Sequence, residues 1–368
     1  MPPAPPDMRQ VRRLLIVKLS SIGDVIHALP FGAALAEAHP GLEISWIVEE
    51  MSAPMVAGNP CLKEVIVLPQ EWRVARFSAA SLRRFLALAR SLRERRFDVA
   101  VDLQGLSKSA LVAWASGAPR RYGWDWLREL APLLLTRVPR RPESVHIIDQ
   151  FLDVARFLGA EPGPARFPIH IPDEDHAAAE ALLRQVGIPA GAPFMVVNPS
   201  SGGGGNKGWG AQRFAALLDA LAPEPGLPAV TIGSRADLAE DSALRAACSR
   251  PPASLVGRTS LKQLAALLQR AAVHVCGDTG SAHLAAALGT PVVSLFGRSN
   301  PARLAPYGWE EFALHHREQC AAACRRFHGS APVNSRQKCL EPPPRCLAAI
   351  PVDEVAHAVR RALSRGRT

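Results

Sequence analysis

No uninterrupted stretch of about 18 apolar residues occurs in this chain of 368 residues, so no segment reads as a membrane-spanning helix. The opening "MPPAPPDMRQ" lacks the apolar core of a signal peptide, and the protein is therefore expected to be cytoplasmic, with residues 1–10 as a disordered leader. Tyrosine is scarce, with two residues, and the basic side chains are spread through helical stretches. A nucleic-acid platform would interleave aromatic rings with a basic groove, so no nucleic-acid partner is expected. Acids are outnumbered, 33 against 43 Lys and Arg, for a net charge of +10. That balance suits an anionic small substrate or an anionic membrane surface, and solvated arginine-rich helix faces are the plainer reading.

In a reducing compartment the cysteines suggest metal more than disulfides. Cys61, Cys248 and Cys276 are isolated, and Cys276 lies in an apolar run as a small buried hydrophobe. Cys320, Cys324, Cys339 and Cys346 cluster with spacing C-x3-C-x14-C-x6-C. The first gap suits a tetrahedral thiolate site and the last is unusual for zinc. A structural metal such as zinc, free thiols and disulfides all stay open.

What the chain does have is alternation. "RLLIVKLS", "EISWIVEE", "EVIVLP" and "FDVAVDLQG" are β-rich runs separated by helical periodicity, as in "SLRRFLALARSLRERR". This is a βαβ series and predicts a parallel sheet covered by helices. Residues 161–175, "EPGPARFPIHIPDED", carry four prolines and little periodicity and read as a linker. The alternation then resumes with "PFMVVNPS", "PAVTIGS", "ASLVG", "VHVCGD" and "TPVVSLFG". The expected plan is an α/β chain of two Rossmann-like, doubly wound domains, residues 11–160 and 176–350, with ligands at the carboxyl ends of the strands and one cleft between the domains. A terminal amphipathic helix and tail, 351–368, would close the second domain or pack on the first. "DED" at Asp173 to Asp175 resembles a metal-binding DxD, but after Pro172 it reads as a helix start.

Three stretches carry chemistry. "KLSSIGDVIHALP" leaves a strand and starts a helix with Ser21, Gly23 and Asp24 in the turn. A carboxylate there repels phosphate, so Asp24 is either a helix cap or a group with another task. "NPSSGGGGNKGWG" offers glycine backbone and Lys207 to a ligand. It is no P-loop, because Gly208 stands where Ser or Thr is needed, and a plain flexible loop remains an alternative. "CGDTGSAHLAAALGTP" brings the N–H groups of Thr279, Gly280 and Ser281 to a helix N-terminus, which suits a phosphate or diphosphate. Asp278 and Thr279 as simple caps, and His283 as a structural residue, are the plainer readings.

Together with "VDLQGLSKSALVAWASGAPRRYGWD" and "DTGSAHLAAALGTPVVSLFGRSNPARLAPYG", these motifs resemble the lipopolysaccharide heptosyltransferases, glycosyltransferase family 9, from about residue 12 to 310, the first motif most like the heptosyltransferase I branch. The resemblance implies a GT-B fold, an ADP-heptose donor on the C-terminal half, and a Kdo-lipid A acceptor near the N-terminal half. It further implies inversion at the anomeric carbon, no metal for catalysis, and work at the inner membrane surface. It also makes iron a candidate structural metal at Cys320, Cys324, Cys339 and Cys346, because some relatives that glycosylate autotransporter proteins carry iron on a cysteine cluster in a similar place. Under it Asp24 is the general base and Lys207 stabilises the departing diphosphate. Thr279 and Gly280 donate to that group, Asp278 holds the donor sugar with His283 beside it, Asp237 meets the ribose where the family typically has glutamate, and Gly257 to Thr259 meet adenine. Ser200 and Ser201 belong to the donor loop, which is longer and richer in glycine than in the family. Ser21, Gly23, Gln104, Lys108, Arg120 and Arg121 fall on the acceptor side. Competing readings are a protein (autotransporter) heptosyltransferase, a member using another nucleotide sugar, and a catalytically silent nucleotide-sugar-binding protein.

Overall fold

The computed structural model describes residues 3–68, 79–200, 208–224, 226–297, 299–319 and 344–366. The chain divides into two compact units, Met1–His170 and Ile171–Thr368.

In the first unit β1 (Arg13–Val17), β2 (Glu43–Glu49), β3 (Glu64–Leu68), β4 (Val99–Asp102), β5 (Arg120–Gly123) and β6 (Thr136–Arg137) form one parallel sheet in the order β3-β2-β1-β4-β5-β6. The central strands are near-continuous apolar runs because helices cover both faces of a parallel sheet. Leu14 to Val17 and Val99 to Val101 are fully buried. Helices α1 (Ile22–Ala38), α2 (Ala79–Glu94), α3 (Ser107–Ala115), α4 (Ala131–Leu134) and α5 (Ile147–Phe157) complete the unit. α1 packs on α5, whereas α2 packs on α3 and α3 on α4. Right-handed crossovers put α2, α3 and α4 together on one face of the sheet and α1 on the other.

The second unit repeats the plan. Strands β7 (Met195–Asn198), β8 (Ala229–Thr231), β9 (Ala253–Ser254), β10 (Val273–Gly277), β11 (Val292–Leu295) and β12 (Ala313–Leu314) run parallel in the order β12-β11-β10-β7-β8-β9. Its helices are α6 (Asp173–Gln185), α7 (Ala211–Leu221), α8 (Leu238–Ala247), α9 (Leu261–Arg270), α10 (Gly280–Ala287), α11 (Pro301–Leu304), α12 (Arg345–Ala348) and α13 (Val352–Arg365). "DED" is the first turn of α6, where three carboxylates meet the positive end of the helix dipole. α13 packs on α7 and β11 within this unit, and buries Val355, Val359 and Ala362. No helix among the described residues is long and apolar enough to cross a membrane.

In each sheet the strand order reverses between two neighbours: β1 and β4 in the first unit, β7 and β10 in the second. Ligands of open parallel sheets bind beyond the carboxyl ends of the strands at such a switch point.

Candidate active site

The turn after β1 sits at the first switch point. Ser21 caps α1, and Asp24 Oδ2 accepts hydrogen bonds from Ser21 N (3.1 Å) and Ser21 Oγ (2.8 Å). The capping and functional readings of Asp24 are therefore compatible, because only one carboxylate oxygen is used. Among the described residues Oδ1 has no hydrogen-bond partner, and the side chain is half-buried. Gly23 is buried under the turn.

Across the switch point, the loop after β4 holds this turn in place. Gln104 Oε1 accepts from Leu19 N (3.1 Å) and Ser20 N (3.2 Å). Gln104 thus positions the Asp24 turn through backbone. Its own loop turns at Gly105, φ +76°, where a Cβ would run into Trp126 O. Asp102 Oδ1 accepts from Gln104 N (2.7 Å) and Gly105 N (3.0 Å), while Oδ2 is buried with no hydrogen-bond partner among the described residues. Burial pushes the Asp102 carboxyl up to about 6, against the opposing pull of these N–H groups, Ser109 and Lys18. Lys18, itself buried, donates to Leu103 O at 3.0 Å and lies over the Phe151 ring. Lys108 pairs with the buried Glu49 carboxylate at 2.8 Å.

Arg120 and Arg121 are not brought to this place. They open β5, opposite Val99 and Ala100 in register, so they lie at the amino-terminal edge of the sheet. Asp24, Gln104 and Lys108 lie at the carboxyl edge. Arg121 is also spent on Ala118 O (2.7 Å) and Leu134 O (3.3 Å).

In the second unit the assigned residues gather at the carboxyl edge. Ser200 follows β7 and is buried, and its N–H donates to Asn198 Oδ1 (3.1 Å). Asp278 follows β10, accepts from Ser299 Oγ, and stands 3.6 Å from His283 Nε2 on the first turns of α10. After β8, Asp237 Oδ2 accepts from Ser234 N and Ser234 Oγ, both at 2.7 Å, the same Ser-x-x-Asp arrangement as at Ser21 and Asp24. After β9, Gly257 N donates to Gly233 O (2.9 Å), φ is +72°, and a Cβ there would press on Arg235 Cγ at 2.8 Å. The backbone from Gly257 to Thr259 thereby stays close to the Asp237 turn. Ser201 and Lys207 lie outside the described residues.

A buried network that the sequence did not reveal supports the α10 turn. His274 Nδ1 is 3.2 Å from Val196 O and Nε2 is 3.0 Å from Ser281 Oγ. Complete burial pushes the ring down to about 4, so it is neutral. The carbonyl requires the proton on Nδ1, and Nε2 must then accept the single proton of Ser281. Ser281 Oγ is left to accept from Asn198 Nδ2 (3.1 Å) and Thr279 Oγ1 (2.9 Å). This chain ties β7, β10 and the start of α10 together, with the first N–H groups of the helix left for a ligand.

The comparisons agree with this arrangement. Residues 85–330 match the sequence profile of Glycosyltransferase family 9 (heptosyltransferase). The chain belongs to this family. This glycosyltransferase is 30% identical over 327 residues to Lipopolysaccharide heptosyltransferase 1 of Pseudomonas aeruginosa, which covers 89% of this chain and 90% of the relative. The E. coli heptosyltransferase WaaC, solved with ADP, is similar at TM-score 0.65 and 28% identity, over 81% of this chain and 91% of that one. A glycosyltransferase family 9 structure from Veillonella parvula has the same fold, at TM-score 0.78 and 23% identity, over 96% of this chain and 97% of that one. The glycosyltransferase fold is thus GT-B, two Rossmann-like units in one chain.

Of the cysteine cluster, Cys320, Cys324 and Cys339 lie outside the described residues, and Cys346 is buried in α12. Among the described residues no group of three or more His, Cys, Asp or Glu could hold a metal ion.

Proposed function

We propose that this glycosyltransferase moves heptose from ADP-heptose to the Kdo-lipid A inner core, with inversion, at the cytoplasmic face of the inner membrane. The observation that carries the reading is 30% identity with Lipopolysaccharide heptosyltransferase 1 over 89% of this chain.

Asp24 is the general base. Ser21 anchors Oδ2 and leaves Oδ1 for the acceptor hydroxyl. As that oxygen attacks the anomeric carbon, its proton passes to Asp24 and the carbon–oxygen bond to the diphosphate breaks, with the electron pair leaving on phosphate. Attack from the face opposite the diphosphate inverts the centre. A positioned base of this kind contributes ~10²–10⁴ in rate.

The diphosphate rests on the N-terminus of α10, where Thr279, Gly280 and Ser281 present their backbone N–H groups. Charge grows there as the bond breaks, so preorganised donors act most strongly in the transition state. Lys207, one residue before Gly208, adds a cation to the same group. Asp278 holds the heptose with His283 beside it, Asp237 takes the ribose hydroxyls, and Gly257 to Thr259 flank adenine. Gln104 and Lys108 shape the acceptor side, Gln104 by holding the Asp24 turn. The transfer needs no metal ion.

The test is direct transfer. Purified protein given ADP-heptose and Kdo-lipid A should yield ADP and an acceptor heavier by one heptose in mass spectrometry. ADP-heptose left intact with every inner-core acceptor would overturn the reading.

A further inference from the structure

We infer that the outer surface of α2, α3 and α4 is a docking face for an anionic lipid bilayer. The inference rests on the proposed lipid-anchored acceptor for its purpose, but the surface itself is read from exposure and charge. Ten large hydrophobic residues stand exposed among the described residues, and six of them, Leu82, Leu86, Leu111, Trp114, Leu130 and Leu133, lie on this one layer or its short connection. Leu133 is 80% exposed and Leu82 and Leu86 are 59% and 57%. Singly scattered exposed leucines need no explanation, whereas a gathered set marks a surface that meets something apolar.

The helix pattern gives the set a direction. Leu82 and Leu86 are one turn apart on α2 and continue into Arg90 and Arg93, and Lys108, Leu111 and Trp114 make a second stripe on α3. The two helices pack together, with the Arg93 guanidinium over the Trp114 ring at 5.9 Å. Between them runs a groove of about 630 Å³ lined by Phe85, Leu86, Arg90, Arg93 and Trp114. The α3 stripe begins at Lys108, at the carboxyl edge that also carries Asp24.

Charge selects the occupant. α2 holds four arginines and one acid, Glu94. Two such faces would repel each other across a symmetric dimer. Leucines one to two turns apart between arginines are what an interfacial helix presents, apolar groups entering below the headgroups while guanidinium groups meet lipid phosphates. On α2, Arg90 pairs with the exposed Glu94 at 3.1 Å and Arg93 lies over Trp114, while on α13 Arg361 and Arg365 pair with Glu311 and Arg360 donates to Ala220 O and Glu224 O.

Vesicle sedimentation tests this without any substrate. The full chain should pellet with phosphatidylcholine vesicles containing one third phosphatidylglycerol, bind pure phosphatidylcholine poorly, and come off as salt rises. The variant Leu82→Ser/Leu86→Ser/Leu133→Ser should bind anionic vesicles roughly tenfold more weakly or worse. Leu238→Ser, at a leucine of the second unit that is also exposed, at 48%, should bind as the parent does. The triple variant should keep heptose transfer to a deacylated, water-soluble acceptor, and a failure of transfer in the parent would count against the proposed reaction and not against this face. A parent that ignores anionic vesicles, a triple variant that binds like the parent, or a dimer that the triple variant dissolves would each overturn the inference.

Discussion

Acidification should weaken the second unit through His274, and the structure sets the size of the effect. The ring is neutral in the folded chain because burial pushes its titration from 6.5 to about 4. In the unfolded chain it takes a proton at its ordinary value. The stability this difference contributes is therefore fully present above about pH 6.5 and is lost as pH falls through the folded value near 4. At 1.36 kcal/mol per pH unit of that gap, the whole loss is about 3 kcal/mol. Replacing the ring by leucine, His274→Leu, removes the proton uptake but also strips the partners of Ser281 Oγ and Val196 O. Losing such bonds costs about 1–3 kcal/mol. The variant should accordingly be less stable at about pH 7.5 and draw level with the parent at about pH 4.5. Urea unfolding followed by the fluorescence of Trp209 and Trp309 would show it. Parallel stability curves for parent and variant over this range would refute the reasoning.

Asp102 should act in the opposite sense in the first unit. Its folded titration is raised from 3.8 to about 6, so its contribution is greatest at low pH and is lost as pH rises through 6. Asp102→Asn removes that loss, and its stability relative to the parent should improve by up to about 3 kcal/mol between pH 4 and 7.5, read by the same unfolding titration. A difference that does not change with pH would contradict the assignment. Lys207→Ala should weaken ADP binding in calorimetry and lower turnover by roughly tenfold or more, because the lysine meets charge that grows on the leaving group. Unchanged affinity and rate would move the phosphate site elsewhere.

Much of the fold is legible in the sequence, because fully buried parallel strands are written as apolar runs: Leu14 to Val17, Val99 to Val101 and Val292 to Leu295 are each readable without coordinates. Three short strands at or beside the sheet edges are not: "TR" and "AL" are the edge strands β6 and β12, and "RRYG" is β5 next to β6, two of the three being charged, since strands this short bury little. Helix starts at Ala211 and Gly280 are marked by the glycines and caps before them. Arg120 and Arg121 show the limit of reading charge alone. Nothing in "PRRYGWD" tells which end of β5 they occupy until the sheet order is known. The His274 network was hidden for a different reason, because its partners Ser281 and Asn198 are 7 and 76 residues away in sequence, and a histidine inside "VHVCGD" looks like any strand residue. Asp102 and Lys18 sit inside quoted motifs, yet their burial is a tertiary property. The Ser-x-x-Asp boxes at Asp24 and Asp237 were legible as spacing, but only the coordinates show that one carboxylate oxygen carries both capping bonds in each.

The central claim is that Asp24 takes the acceptor proton during transfer from ADP-heptose, and Asp24→Asn tests it most directly in the mass-spectrometric transfer assay. Asparagine keeps the size and can still accept from Ser21, so ADP-heptose binding should be unchanged. Formation of heptosylated Kdo-lipid A should fall by roughly 10²-fold or more. Product formed at close to the parent rate, with donor binding intact, would contradict the account.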